Sequence, residues 1–144
     1  MRMKNKCFFI VVLLFISQNV FSQTPMNIQK KATKFEMMFV NLDFRNLQNL
    51  FLEKGSVGVR VVHQKKELIS KEIKGRDQMK EWVQSFSANP PPWPNLRQQV
   101  LCQHLTCEFS GPTLPNNIYV SKINFQQLPN SDLFIRNIEF ISGE

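Results

Sequence analysis

The sequence predicts an α+β domain in which N-terminal helices pack on a curved, mostly antiparallel β-sheet. Three observations carry this expectation. Apolar residues recur at helical spacing early in the chain, alternate at strand spacing in the middle, and crowd three long strand-like stretches at the end. Helices massed before strands, rather than alternating with them, give an α+β order. Thirteen Phe, and 42% hydrophobic residues among 144, suffice to fill one core. The same composition excludes a collagen-like, coiled-coil or wholly disordered chain.

Ile28, Ala32, Phe35, Phe39 and Leu42 fall at spacings of 4, 3, 4 and 3, which defines one apolar helix face. Lys30, Lys31, Lys34 and Glu36 lie mostly on the other side. Asp43 suits the N-cap of a short second helix, because its carboxylate can accept free backbone N–H groups. Leu47, Leu50 and Phe51 form the buried side of that helix, and Gly55 ends it. Val57, Val59 and Val61 begin a period-two strand that runs to His63. Gln64-Lys65-Lys66 is a polar turn, with a returning strand over Leu68 to Ile73. Gly75-Arg76-Asp77 precedes a third helix, whose apolar face holds Met79, Trp82, Val83 and Phe86. Asn89-Pro90-Pro91-Pro92-Trp93-Pro94 is a stiff extended connection within one domain. Three strands follow: Leu96 to Phe109, Ile118 to Gln127, and Leu133 to Ile141. The last is apolar on both faces, with Phe134, Ile138 and Phe140 on one and Leu133, Ile135 and Ile141 on the other.

Residues 1–22 read as a secretory signal peptide and 23–144 as a single domain. Arg2, Lys4 and Lys6 precede the apolar run Cys7 to Ile16, and Ser22 is a small residue at the expected cleavage point. That run is half of the roughly 20 helical residues needed to cross a bilayer. The expected location is therefore the periplasm or the medium, with no membrane association after cleavage. Residues 23–144 keep 15 basic against 11 acidic side chains, without the basic stripe and interleaved aromatics of a nucleic-acid surface. Three Cys and two His are too few and too scattered for a zinc site, and no cofactor is expected. Cys102 and Cys107 fall within one expected strand, which would hold them about 16 Å apart on opposite faces. Gln103-His104-Leu105-Thr106 offers no Gly, Pro or Asn to turn the chain, so two buried free thiols are expected.

Asn41-Leu42-Asp43-Phe44-Arg45-Asn46-Leu47, Ile73-Lys74-Gly75-Arg76-Asp77-Gln78-Met79 and Ile135-Arg136-Asn137-Ile138-Glu139-Phe140, in this order and spacing, resemble the nuclear transport factor two-like superfamily. The resemblance spans roughly 28–142. It implies a cone-shaped, cystatin-like fold that also houses SnoaL-like cyclases and ketosteroid isomerase, as well as binding and interaction domains. Enzymes of that group place a carboxylate or His inside the cone. No Asp or Glu here matches that position. Asp43 and Asp77 sit at helix starts, while Glu108 and Glu139 lie on the more polar side of their strands. His104 and His63 are the candidate bases for an enzyme acting on a small organic molecule.

A ligand pocket is expected instead around Arg136, which interrupts a face between Phe134 and Ile138. An always-charged guanidinium there needs an anionic partner. Gln103, between Leu101 and Leu105, supplies a second polar contact, the strand residue Tyr119 joins the set, and Trp93 is placed to cover the mouth. The expected function is thus a non-catalytic domain binding a small organic or anionic ligand, or a protein, and dimeric through its sheet. The alternatives are a SnoaL-like enzyme and an inhibitor or immunity-like protein that uses a strand edge. The leader gives the first test. Gln23 is the expected N-terminus of exported protein, and sequencing that returns an intact Met1 rejects the signal peptide.

Overall fold

Helix α1 (26–40) buries the face defined by its apolar spacing: Ile28, Ala32, Phe35 and Phe39 are inaccessible to solvent. The computed structural model describes residues 26–88 and 93–143. The leader expected at 1–22, the proline run at 90–92 and the side chains of Phe86 and Trp93 lie outside the described residues. Helix α1 ends where Leu42 adopts a left-handed φ of 55°. Asp43 then caps α2 (Phe44–Leu47), its Oδ1 accepting the Asn46 N–H at 3.3 Å and its Oδ2 the Asn46 side-chain amide at 2.8 Å. A 3₁₀ turn (Gln48–Leu50) follows, and Leu47, Leu50 and Phe51 are buried.

Strand β1 (Ser56–His63) turns into β2 (Lys66–Lys74) through Gln64 and Lys65, with φ of 46° and 63°. Two consecutive positive φ values match the right-handed twist of a two-residue hairpin. Helix α3 (Gly75–Ala88) starts at once. Gly75 has φ of 72° and donates its N–H to Gly55 O at 2.8 Å, a conformation that a side chain would strain. Then come β3 (Trp93–Asn95), β4 (Gln99–Gln103), β5 (Thr106–Ser110), β6 (Asn117–Gln127) and β7 (Leu133–Ser142). The strands form one sheet in the order β2-β1-β7-β6-β5-β4, with β3 also pairing β6. The β1–β7 and β3–β6 pairs are parallel and the others antiparallel. Helices on one face of a mostly antiparallel sheet are the α+β class that the sequence predicts.

Two local features depart from expectation. The first is the segment expected as one strand from Leu96 to Phe109. It is a hairpin, because His104 takes a left-handed φ of 51° and His104-Leu105 become a two-residue turn. Cys102 and Cys107 are then directly opposite, with Cα atoms 4.0 Å apart, and form a disulfide. The free thiols expected from an extended strand are therefore corrected to a cross-link. A His, which reaches the left-handed region more readily than most residues, supplied the turn without Gly or Asn.

The second is the phase of β7. Asn124 pairs with Asn137 and Phe125 with Ile135, so Arg136 has no partner on β6. This extra residue is a β-bulge, and it shifts the alternation by one. Leu133 and Ile135 before it, and Ile138 and Phe140 after it, all point to the core and are buried. A two-sided strand was expected, but the pattern is a one-sided strand with a change of phase. Leu133 and Ile135 are buried within the chain, and Ile141 is half-buried. Ser121 on β6 plays the opposite part, since Val120 pairs with Phe140 and Lys122 with Glu139. The two bulges cancel and restore the register at both ends.

The core between helices and sheet is filled with rings. Phe140 of β7 lies 4.8 Å from Phe39 of α1 and 5.3 Å from Trp82 of α3, and Phe35 sits 6.1 Å from Phe39 and 6.2 Å from Phe51. Aromatic pairs at these separations add to the burial energy of each ring. The Lys31 ammonium donates to the Leu133 carbonyl and lies 5.6 Å above the Phe134 ring, tying the start of α1 to the start of β7. The bulge can be tested by two deletions. Removing Arg136 leaves Leu133, Ile135, Ile138 and Phe140 in plain alternation, and the variant is expected to fold with a cooperative urea transition. Removing Glu139 makes Ile138 and Phe140 neighbours and expels one, at a cost of about 3–5 kcal/mol for a buried aromatic. Equal loss of the near-ultraviolet circular dichroism in both variants would overturn the phase account.

Candidate functional site: a polar cluster at the sheet edge

Helix α1 carries one charged residue into the protein. Glu36 lies four residues after Ala32 and three before Phe39, so it belongs to the inward face and is only 5% exposed. Its Oε1 accepts the main-chain N–H of Arg97, which lies between β3 and β4. Burial raises the Glu36 carboxyl above its ordinary value, against the opposing pull of the Arg97 N–H and the Arg97 charge.

Arg97 leaves the sheet beside β3, at an edge next to β6. Its main chain reaches inward to Glu36, while its guanidinium lies 5.4 Å from the centre of the Tyr119 ring. Tyr119 is 2% exposed, and its hydroxyl oxygen accepts the Leu114 N–H at 2.7 Å. Arg97 Nε and Nη1 are both enclosed and have no hydrogen-bond acceptor among the described residues. No Glu36–Arg97 ion pair forms within 4.0 Å among the described residues. An enclosed donor without an acceptor costs about 1–3 kcal/mol, and more when charged. Burial also lowers the Arg97 pKa, although Tyr119 and Glu36 act in the other direction.

The outer face of the sheet is polar and largely paired within itself. Arg60 contacts Glu67 at 2.8 Å and Glu139 at 3.6 Å, and Lys122 contacts Glu108 at 2.9 Å. Across β1, β7, β6 and β5 the signs alternate as Arg60, Glu139, Lys122 and Glu108. The hydrogen bond to Glu108 holds the Lys122 ammonium above its ordinary value. Two shallow depressions of about 390 Å³ lie on this face and share Gly58, Ser70, Lys71 and Asn137. A hollow of about 730 Å³ follows the outward side of α1, past Met26, Thr33 and Met37.

The residues expected to make a pocket do not converge. Arg136 is exposed and lines one of the outer depressions, because the bulge turns both it and Asn137 outward. Gln103 and His104 are exposed around the β4–β5 turn, where Leu101 is 69% accessible. Tyr119 belongs to the edge cluster, and the side chain of Trp93 lies outside the described residues. His63 ends β1 half-buried, with its Nδ1 enclosed and unbonded among the described residues. Sequence reasoning missed Glu36 and Arg97. Helical spacing places Glu36 on the apolar face, so its signal was present. Nothing in the sequence marks Arg97, whose role depends on β3 pairing with β6. Among the described residues no three His, Cys, Asp or Glu are grouped to hold a metal, and no helix is long and apolar enough to cross a membrane.

No protein-family model and no curated protein sequence matches the chain. Among solved structures it is similar to an NTF2-like protein with a cystatin-like fold from Novosphingobium aromaticivorans. The identity is 11% and the TM-score 0.40, over 97% of this chain and 91% of that one.

Glu36 makes stability depend on pH in a defined direction. A carboxyl raised by burial binds its proton more tightly in the folded state than in the unfolded one. Its contribution is present below the ordinary value of 4.5 and is lost as pH rises through the folded value. Urea midpoints of the wild type are expected to fall over that interval relative to Glu36→Gln, which still offers an acceptor to the Arg97 N–H. Parallel curves for the two proteins would show that Glu36 is not buried in this way.

Proposed function

We propose that the chain is an exported, non-catalytic binding domain of the NTF2-like kind. The observation that carries this reading is the aromatic packing between helices and sheet. The resembling cyclases and isomerases work inside the cone, where apolar walls tune a buried acid or base. Here Phe39, Trp82 and Phe140 occupy the space between helices and sheet with mutual ring contacts. Polar groups lie on the outer face of the sheet, where a ligand or partner reaches them without entering the core. His104, a candidate base, sits exposed in a hairpin turn, away from any such enclosed space.

Export is supported by two independent features. The leader has the basic start and short apolar run of a signal peptide. The Cys102–Cys107 disulfide suits an oxidising compartment. The paired, alternating charges of the outer face argue for a discrete small or protein partner rather than a polyanion such as nucleic acid. Native mass spectrometry of protein recovered from the envelope or medium tests both parts. The expected species begins near Gln23, lacks the two thiol protons of Cys102 and Cys107, and carries a bound molecule unchanged over hours. Recovery of reduced protein in the cytosol rejects export, and conversion of the retained molecule to a new mass rejects the non-catalytic reading.

A further inference from the structure

We propose that two copies of the chain pair through β4, antiparallel and about a two-fold axis at Leu101, so that one sheet runs across the dimer. The proposal is independent of any ligand the domain binds. Strand β4 ends the sheet order, and its outer edge has no strand beside it among the described residues. An open edge presents unpaired main-chain N–H and C=O groups that another strand can take. The opposite edge, β2, carries five charged side chains, whereas Gln99-Val100-Leu101-Cys102-Gln103 carries none.

Apolar surface is left partly uncovered on both sides of β4. On the outer face one cross-strand row runs Arg60, Glu139, Lys122, Glu108 and Leu101, so alternating charges give way to a leucine at the edge. That leucine is 69% accessible. On the inner face Val100 and Cys102 pack on the core yet stay half-buried, with no strand beyond β4 to cover them among the described residues.

The pattern of the strand selects a second copy as the occupant. Antiparallel pairing about Leu101 sets Gln99 against the partner's Gln103, Val100 against the partner's Cys102, and Leu101 against itself. Polar residues meet polar ones and apolar residues meet apolar ones at every position. The main chain agrees with that register. Cys102 and Cys107 have Cα atoms 4.0 Å apart, the close spacing of a non-hydrogen-bonded antiparallel pair. The N–H and C=O of Cys102, and by alternation those of Val100, therefore point away from β5 to the open edge. With Leu101 on the axis, Val100 exchanges two hydrogen bonds with the partner's Cys102, and Cys102 two with the partner's Val100. The two Leu101 side chains meet at the close, non-hydrogen-bonded position between them. Five-residue strands bury less than the roughly 1,200 Å² of a stable interface, so the association is weak and set by concentration.

The test is sedimentation velocity of the purified exported protein from about 5 µM to about 0.5 mM, a range that reaches weak interfaces of this size. The expected result is a reversible shift from monomer to dimer. Leu101 is exposed, so Leu101→Lys and Leu101→Glu are both expected to fold. Each sets like charges opposite one another at the axis and is expected to weaken association at least about tenfold. A mixture of the two variants is expected to associate again as a one-to-one heterodimer, because a two-fold axis at this residue brings the opposite charges together. That rescue also excludes misfolding as the cause of the loss. Leu68→Lys, at the exposed leucine of β2, is expected to leave association unchanged. A wild type that stays monomeric over the whole range overturns the proposal, needs no variant, and leaves the ligand-binding reading untouched. A Leu101→Lys protein that associates like the wild type overturns it too, as does a mixture that stays monomeric, since either result places the contact elsewhere.

Discussion

The extra residue in β7 sets the phase on which the rest of the structure depends. Strand β7 lies inside the sheet, antiparallel to β6 and parallel to β1. Before Arg136, the odd residues Leu133 and Ile135 face the helices, and after it the even residues Ile138 and Phe140 do. Without this change the strand would present half of its apolar residues to water, and β1 could not pair its own Val59 and Val61 beside Ile138 and Phe140 on the same face. The bulge on β6 at Ser121 answers it, so Ile118, Val120, Ile123 and Phe125 also reach the core. Paired bulges bend and twist a sheet locally, which suits a surface that wraps around α1 and α3.

Phase control also decides where polar groups go. The core face takes rings and aliphatic chains, and Phe140 packs there against Phe39 and Trp82. On the outer face the charges answer one another across the strands, and exposed pairs of this kind contribute little to stability individually. At the β3 edge the situation differs. Buried Glu36 of α1 and buried Tyr119 of β6 meet the half-buried Arg97 between β3 and β4, and two Arg97 donors have no acceptor among the described residues. Enclosed donors of a charged group without acceptors are a more specific feature than any number of paired charges in water.

Helix α1, its cap at Asp43, the valine strand and the third helix were legible because each is a local pattern of spacing and capping. Two kinds of feature were not. A bulge adds one residue without changing composition, so strict alternation applied to Leu133–Ile141 assigned Ile135 and Ile138 to opposite faces when they share one. A left-handed His104 turned a strand into a hairpin, since turn rules weighted towards Gly, Pro and Asn describe preference and not necessity. The pocket centred on Arg136 followed from the first error, because the residue read as interrupting an apolar face is the bulge itself. Glu36 was legible, because its spacing from Ala32 and Phe39 includes it in the inward face despite its charge. Arg97 was not readable, because its neighbours come from residues 36 and 119, brought together by the parallel pairing of β3 with β6.

The cross-linked hairpin bears on how an open sheet protects its edges. Strand β4 lies at one end of the order and β2 at the other, and unpaired edges invite association with other chains. The β2 edge carries Lys66, Glu67, Lys71, Glu72 and Lys74, a density of charge that opposes strand addition. The β4 edge is short and has Leu101 exposed with no charge of its own. There the disulfide ties β4 to β5, which holds the hairpin together and leaves the outer edge of β4 open. Closing so short a loop limits the unfolded chain by about 2 kcal/mol in the entropic account. Because Cys107 is fully buried and Cys102 packs on the core, the cross-link also anchors β4 to β5. A hairpin fixed in this way cannot peel off to offer β5 as a new edge, so the protection of the sheet at this end depends on an oxidising environment.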